Sequence, residues 1–206
     1  MKKIIIAIDS FKGCLTSAEA GKAAEKGIKS INPSCHTSVI PIADGGEGLL
    51  DVLITATKGK YITLSAHGPL MKMAKTHYGL SGNGRTAIIE MAAISGLPLV
   101  PIEQRNPMLT TTFGTGELIK DALNKGCRNF IIGIGGSATN DAGLGMLQAL
   151  GFRFLDKSGH TLGTGGQIME AVANIDTSGI HPALRETHFM VACDVANPFY
   201  LSLIHI

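Results

Sequence analysis

Charge of one sign is scarce in this chain: 18 Lys+Arg stand against 16 Asp+Glu, a net charge of +2 over 206 residues. No basic run exceeds two residues, so the electrostatic footprint of a nucleic-acid partner is missing. Long apolar runs are missing as well. Ile4–Ile8 follows Lys2 and Lys3 as a leader would, but it halts at Asp9 after five residues, too short for a leader core or a membrane span. The four cysteines (Cys14, Cys35, Cys127, Cys193) include no C-x-x-C, and none of the seven histidines pairs with another at the spacing of a metal-binding helix face. Repeats and low-complexity tracts are absent, and the glycines lack the collagen period. What is left is a globular, cytoplasmic chain with reduced thiols and a small-molecule partner, neither nucleic acid nor membrane.

What is abundant is apolar residues, at 45%, and glycine, with 26 residues. That glycine content is nearly twice the usual share of about 7%. Lys3–Ile8 reads as a strand buried on both faces. Thr16 and Glu19 form a capping box for a helix that Asn32-Pro33 ends. A strand over Ser38–Ile42 and a helix from Glu47 to Thr57 follow, the alternation of a parallel sheet covered by helices. Tyr61–Leu64, His77–Leu80 and Thr86–Met91, separated by turn residues, predict antiparallel hairpins. From Thr115 the helix–strand alternation resumes: a helix to Lys125 with Gly126 behind it, strand Phe130–Ile134, a helix from Asp141 to Leu150, and strands Phe152–Leu155 and Phe189–Cys193. The expected fold is α/β, with a Rossmann-like, mostly parallel main domain over residues 1–60 and 106–206. A smaller, mixed and partly antiparallel section spans residues 61–105.

Glycine and reactive side chains meet at strand ends, where open α/β sheets bind ligands. Asp9-Ser10-Phe11-Lys12-Gly13 gathers a carboxylate, a hydroxyl and an ammonium, a set suited to an anion and its metal, although turn hydrogen bonds account for Asp9 and Ser10 equally. In Asp44-Gly45-Gly46-Glu47-Gly48, helix capping explains Asp44 and Glu47 but not three glycines, which let backbone N–H groups approach a ligand. The densest run is Gly133-Ile134-Gly135-Gly136-Ser137-Ala138-Thr139-Asn140-Asp141-Ala142-Gly143, whose amides and hydroxyls suit phosphate oxygens; N-capping alone would account only for Asn140. Asp141 there holds Mg2+ or orients a nucleophile. Asp194 closes a further strand. Ten of the glycines fall between Gly133 and Gly166, and the reading is that many make room for phosphate.

Two look-alikes compete. Gly79-x-x-x-x-Gly84-Arg85-Thr86 approaches a P-loop, but a strand follows where a P-loop has a helix, so a hairpin turn is expected. Gly133-x-Gly135-x-x-Ala138, with Asp156 beyond it, matches a loose dinucleotide fingerprint and keeps an NAD(P)-dependent oxidoreductase open. That fingerprint gives no reason for Ser137, Thr139, Asn140 and Asp141 to crowd one turn.

Together these segments resemble the type-1 glycerate kinase family: D-S-F-K-G at 9–13, P-I-A-D-G-G-E-G at 41–48, I-E-M-A at 89–92, T-T-x-G-T-G-E-L-I at 111–119, G-I-G-G-S-A-T-N-D at 133–141 and C-D-V-x-N-P at 193–198. The resemblance implies Mg2+- and ATP-dependent phosphorylation of D-glycerate, usually to 2-phosphoglycerate, in a cleft between two α/β domains. Ala142 stands where the family commonly has glycine, and Phe199–Ile206 departs from the family, which continues further; the chain reads as a C-terminally truncated member, or as an inactive nucleotide-binding fragment.

On that resemblance, Gly135, Gly136, Ser137, Thr139 and Asn140 take the ATP phosphates, and Asp141 or Asp194 takes Mg2+. Lys12 neutralises the transferred phosphoryl group. Asp44 accepts the glycerate proton, with Asp9 as the alternate. Ser10, Gly45, Gly46, Glu47 and Arg105 complete the glycerate site, Arg105 by pairing with the carboxylate. A homo-oligomer is compatible with the sequence.

Overall fold

The computed structural model describes residues 3–11, 14–46 and 48–193. Lys12, Gly13, Glu47, Asp194 and the divergent tail lie outside them. Strand β1 (Lys3–Ile6), helix α1 (Ser17–Ile31) and strand β2 (His36–Val39) form a parallel pair with its crossover helix, Ile4 opposite Thr37 and Ile6 opposite Val39. The capping box is present: Glu19 N–H donates to Thr16 Oγ1, and Thr16 N–H donates back to the Glu19 carboxylate at 2.9 Å. Burial of β1 on both faces is not observed. Ile6 is buried but Ile5 is 69% exposed, because β2 is its one described neighbour and α1 covers a single face. β2 begins earlier than expected, and past Val39 the chain runs without regular structure to Asp44, held by Ile42 N–H donating to Ser17 Oγ at 3.0 Å.

Helix α2 (Leu49–Thr57) starts after Gly48, whose φ of +91° turns the chain into it. β3 (Lys60–His67), β4 (Met73–Leu80) and β5 (Thr86–Glu90) are antiparallel neighbours. The P-loop look-alike is indeed the β4–β5 turn, closed by Ser81 N–H donating to the Thr86 carbonyl. There follow the single turn α3 (Ala92–Ser95), α4 (Phe113–Asn124), β6 (Asn129–Gly133), α5 (Leu144–Ala149), β7 (Arg153–Leu155), β8 (Asn174–Asp176) and β9 (His188–Ala192). One sheet has the order β3-β4-β5-β6-β9, with β5, β6 and β9 parallel. The α/β class is therefore observed, and the antiparallel strands of residues 61–105 continue, through β5, the same sheet as β6 and β9.

β5 is the strand buried on both faces. Ala87 and Ile89 pack with Leu118, Ile119 and Ala122 of α4, whereas Ile88 packs with Leu50 and Ile54 of α2. Burying each of these large aliphatic side chains stabilises the fold by about 1.5–3 kcal/mol. Tyr78 carries a polar group into this core: its hydroxyl donates to Asp121 Oδ2 at 2.8 Å, and burial pushes its pKa well above the ordinary tyrosine value. No described helix is long and apolar enough to cross a membrane.

Candidate functional site

Parallel pairing in register sets Glu90, Gly133 and Ala192, the last residues of β5, β6 and β9, side by side. The Asp44–Gly46 segment crosses this edge. A Cβ on Gly133 would lie 2.5 Å from the Gly45 carbonyl oxygen, and one on Gly135 2.7 Å from Gly46 Cα. Real side chains do not tolerate such distances, so glycine is required for the two loops to touch. This revises the expectation for the glycine excess: at these positions it makes room for backbone against backbone. Asp44 Oδ1 accepts from Gly46 N–H at 2.9 Å and fixes the crossing turn.

Glu90, which the residue-by-residue reading passed over, anchors the same loop. Its Oε1 accepts from Leu50 N–H at 2.7 Å, and its carboxylate also accepts from Gly48 N–H, fastening the start of α2 to the sheet. Burial raises its pKa above 4.5, with Asp51 adding to the shift. The folded state thus holds the Glu90 proton more tightly than the unfolded chain. The linked stability is fully present below the unfolded pKa near 4.5 and is lost as pH rises through the higher folded value. Glu90→Gln removes this titration while keeping an acceptor oxygen. The thermal midpoint of the variant relative to the parent is expected to rise as pH goes from 4 to about 7; a difference independent of pH, measured by circular dichroism, would refute it.

Beyond β6, Leu97 N–H donates to the Gly136 carbonyl at 3.0 Å and Ala138 N–H to the Ser95 carbonyl at 2.8 Å. The N–H groups of Gly135, Gly136 and Ser137 donate to no described acceptor. Ser137 Oγ and Thr139 Oγ1 share a hydrogen bond of 2.6 Å. Both line a cavity of about 240 Å3 with Arg105, whose Nε donates to the Val100 carbonyl at 3.3 Å. The structure thus joins Arg105 to the hydroxyls of a turn more than thirty residues away, for which no local sequence signal exists. Asn140 is exposed and does not line this cavity; α5 is capped by Gly143 instead.

Asp141 departs from expectation most clearly. It is 1% exposed. Its Oδ2 accepts from the N–H groups of Thr112 at 2.8 Å and Gly145 at 3.1 Å and from Thr111 Oγ1 at 3.2 Å; its Oδ1 accepts from Gly143 N–H at 3.1 Å and Thr112 Oγ1 at 3.1 Å. A cation would have to displace these donors, so Asp141 does not fit Mg2+. It ties the start of α4 to the start of α5. Asp194 lies outside the described residues, among which no cluster of three or more His, Cys, Asp or Glu fits a metal ion. Its neighbour Ala142 sits in a glycine-like conformation, with φ +50°. Ala142→Gly is expected to stabilise the chain by about 1 kcal/mol, raising the melting midpoint by about 2–4 °C; calorimetry showing no gain would contradict this.

The dinucleotide alternative fails on geometry. No helix opens at Gly135, since α5 begins only at Leu144. Asp156 accepts from Ser158 and His160 N–H groups in a turn beside β7, which pairs with β8 outside the five-stranded sheet.

Asp9 and Ser10 open instead on a cavity of about 430 Å3 between the first turn of α1 and one face of α2. Asp9 Oδ1 accepts from Ser10 N–H at 2.6 Å, and Ser10 Oγ is buried with no hydrogen-bond partner among the described residues. Asp51, His77 and Glu90 line the far wall. The Tyr61 hydroxyl donates to Asp51 and packs edge-on against the His77 ring; chiefly through that hydrogen bond, its pKa is pushed up to about 12. Lys12 and Glu47, expected here and at the crossing loop, lie outside the described residues.

The arrangement defines an α/β protein whose polar glycine loops gather at the carboxyl edge of parallel strands, the edge on which such sheets bind ligands. Comparison with known proteins narrows the class. Residues 4–200 match the model of the glycerate kinase family. A glycerate kinase of Bacillus subtilis (strain 168) is 54% identical over 196 residues, covering 95% of this chain and 51% of that protein. Glycerate 2-kinase of Escherichia coli (strain K12) is 50% identical over 95% of this chain and 51% of its own length. A crystal structure from Salmonella typhimurium LT2, provisionally named glycerate kinase 2, has a TM-score of 0.86 at 49% identity, covering 96% of this chain and 53% of that one. The chain belongs to the glycerate kinase family. It spans about half the length of the curated relatives it matches.

Proposed function

We propose that the chain serves ATP-dependent transfer of a phosphoryl group to a hydroxyl of D-glycerate, with 2-phosphoglycerate as the product. The relatives' names support the reaction, and the Escherichia coli relative's name supports the 2-position. The observation that carries the reading is the contact of Gly46 with Gly135, which sets Asp44 beside the turn whose Ser137 and Thr139 share a cavity with Arg105.

Phosphoryl transfer needs alignment and charge neutralisation more than covalent help from the protein. The Arg105 guanidinium pairs with the glycerate carboxylate. The unpaired N–H groups of Gly135, Gly136 and Ser137 receive phosphoryl oxygens, with Thr139 assisting. Asp44 takes the proton of the attacking hydroxyl as the new O–P bond forms and the bridging bond to ADP breaks. Asp9, facing the other cavity, is the weaker candidate for that role. Lys12 is proposed to balance charge on the transferred group. No step is assigned to Mg2+, since Asp141 is fully engaged by donors.

Coupled ADP release with D-glycerate tests the reading, on the full-length Bacillus subtilis relative beside this chain. Glycerate-dependent release by the longer protein, and saturable binding of ATP and of D-glycerate by this chain, are expected. Absence of glycerate-dependent release from both proteins overturns it.

A further inference from the structure

The two cavities differ sharply in chemistry. The smaller one offers Arg105, the hydroxyls of Ser137 and Thr139 and the Ser137 N–H, which meets no described acceptor, all suited to anions. The larger one is lined by four carboxylates, of Asp9, Glu19, Asp51 and Glu90, and no Lys or Arg stands among its described lining residues. Coulomb repulsion disfavours a triphosphate or an acid directly beside these four carboxylates. Yet the cavity is not a plain acidic surface. Ala18, Ile42 and Leu50 supply apolar wall. Its volume of about 430 Å3 suits a small organic molecule, and the 240 Å3 of the other suits only a small acid or a phosphate tail.

We infer that the larger cavity takes the nucleoside of the phosphoryl donor, a neutral heterocycle on a polyol, and that the anionic ends of both substrates go to the Arg105 cavity. This rests on the kinase reading. Hydroxyl and amino groups of the nucleoside donate to carboxylate oxygens, and the ring lies on the apolar wall. Each acid keeps capacity for this. Asp9 spends Oδ1 on Ser10 N–H, Asp51 spends Oδ1 on Tyr61, and Glu90 accepts backbone N–H groups from the α2 entrance. The loops themselves join the cavities. Gly48 lines the larger one, Gly46 two residues earlier touches Gly135, and Ser137 two residues past that contact lines the smaller one. A phosphate chain crossing from one to the other passes the amides of Gly135 and Gly136.

Adenosine, which carries no phosphate, separates the two sites. Titrated into the 15N-labelled 206-residue chain, it is expected to shift amides of Leu15, Ala18 and Val52, while D-glycerate or inorganic phosphate shifts those of Arg105, Ser137 and Thr139. Ala18→Phe fills the larger cavity from a half-buried position in the first turn of α1, and Asp51→Asn removes one charge. Each is expected to weaken adenosine binding about tenfold and leave phosphate binding unchanged, with Arg105→Ala showing the converse. Adenosine shifts confined to residues 137–139, or no saturable adenosine binding, overturn the inference. If the full-length relative still shows glycerate-dependent ADP release, the kinase reading survives that outcome; if the release is also absent, both fall.

Discussion

Asp141→Ala is expected to lower the thermal midpoint of this chain by about 10 °C. The carboxylate is buried, and five donors converge on it from Thr111, Thr112, Gly143 and Gly145. Alanine would strand those donors in a dry site. Hydrogen bonds to a charged acceptor contribute about 1.5–3 kcal/mol each, and partial relaxation recovers some of the loss, so a net cost of about 3–5 kcal/mol is reasonable. At about 2–4 °C per kcal/mol for a chain of this size, the shift is large. Asp141→Asn recovers part of it, because one carboxyl oxygen survives while an amide donor now faces other donors. The measurement is thermal unfolding followed by circular dichroism in chelator. A shift under about 2 °C would return Asp141 to the pool of metal ligands, whose loss leaves metal-free stability nearly untouched.

The second large effect is on turnover. Asparagine at the position aligned with Asp44 in a full-length relative should reduce kcat by about 10²–10⁴-fold, the range for losing a general base. The substitution is chosen because its Oδ1 still accepts from the N–H of the residue aligned with Gly46, so the crossing turn and the glycine contact persist. KM for D-glycerate should change little, since Arg105 rather than Asp44 is assigned the carboxylate. A fall below about tenfold, measured by coupled ADP release, would move the proton acceptor elsewhere. An equal loss in kcat together with a lowered thermal midpoint would instead mark Asp44 as a loop former.

What could be read beforehand was whatever the chain fixes locally. Thr16 and Glu19 announce the start of α1, Gly126 the end of α4 and Ser81–Gly84 the β4–β5 turn, because each signal and its consequence lie within a few residues. Class and family followed from such pieces. The site was legible in its parts and not in its assembly. Asp141 looked like a metal ligand because its partners at Thr111 and Thr112 stand about thirty residues away and carry no sequence mark of the pairing. Arg105 had only its charge to recommend it. Glu90 ends a largely apolar strand, TAIIE, and a carboxylate at such a strand end is a signal in its own right. β1 failed differently: an apolar run predicts burial only if both faces are covered, and α1 covers one face of β1 while Ile5 stays 69% exposed.

The contact between Gly46 and Gly135 also limits how this site can drift over generations. When a large residue invades a packed core, trimming its neighbour can restore the fit, and paired changes of that kind let cores wander. Here Gly133 and Gly135 already carry only hydrogen, and what they meet is backbone. An alanine at Gly135 meets Gly46 Cα itself, and at Gly133 it meets the carbonyl oxygen of Gly45. No compensating change at position 45 or 46 can remove a backbone atom. Gly133 and Gly135 are therefore each held individually, and no paired exchange with the crossing loop releases them.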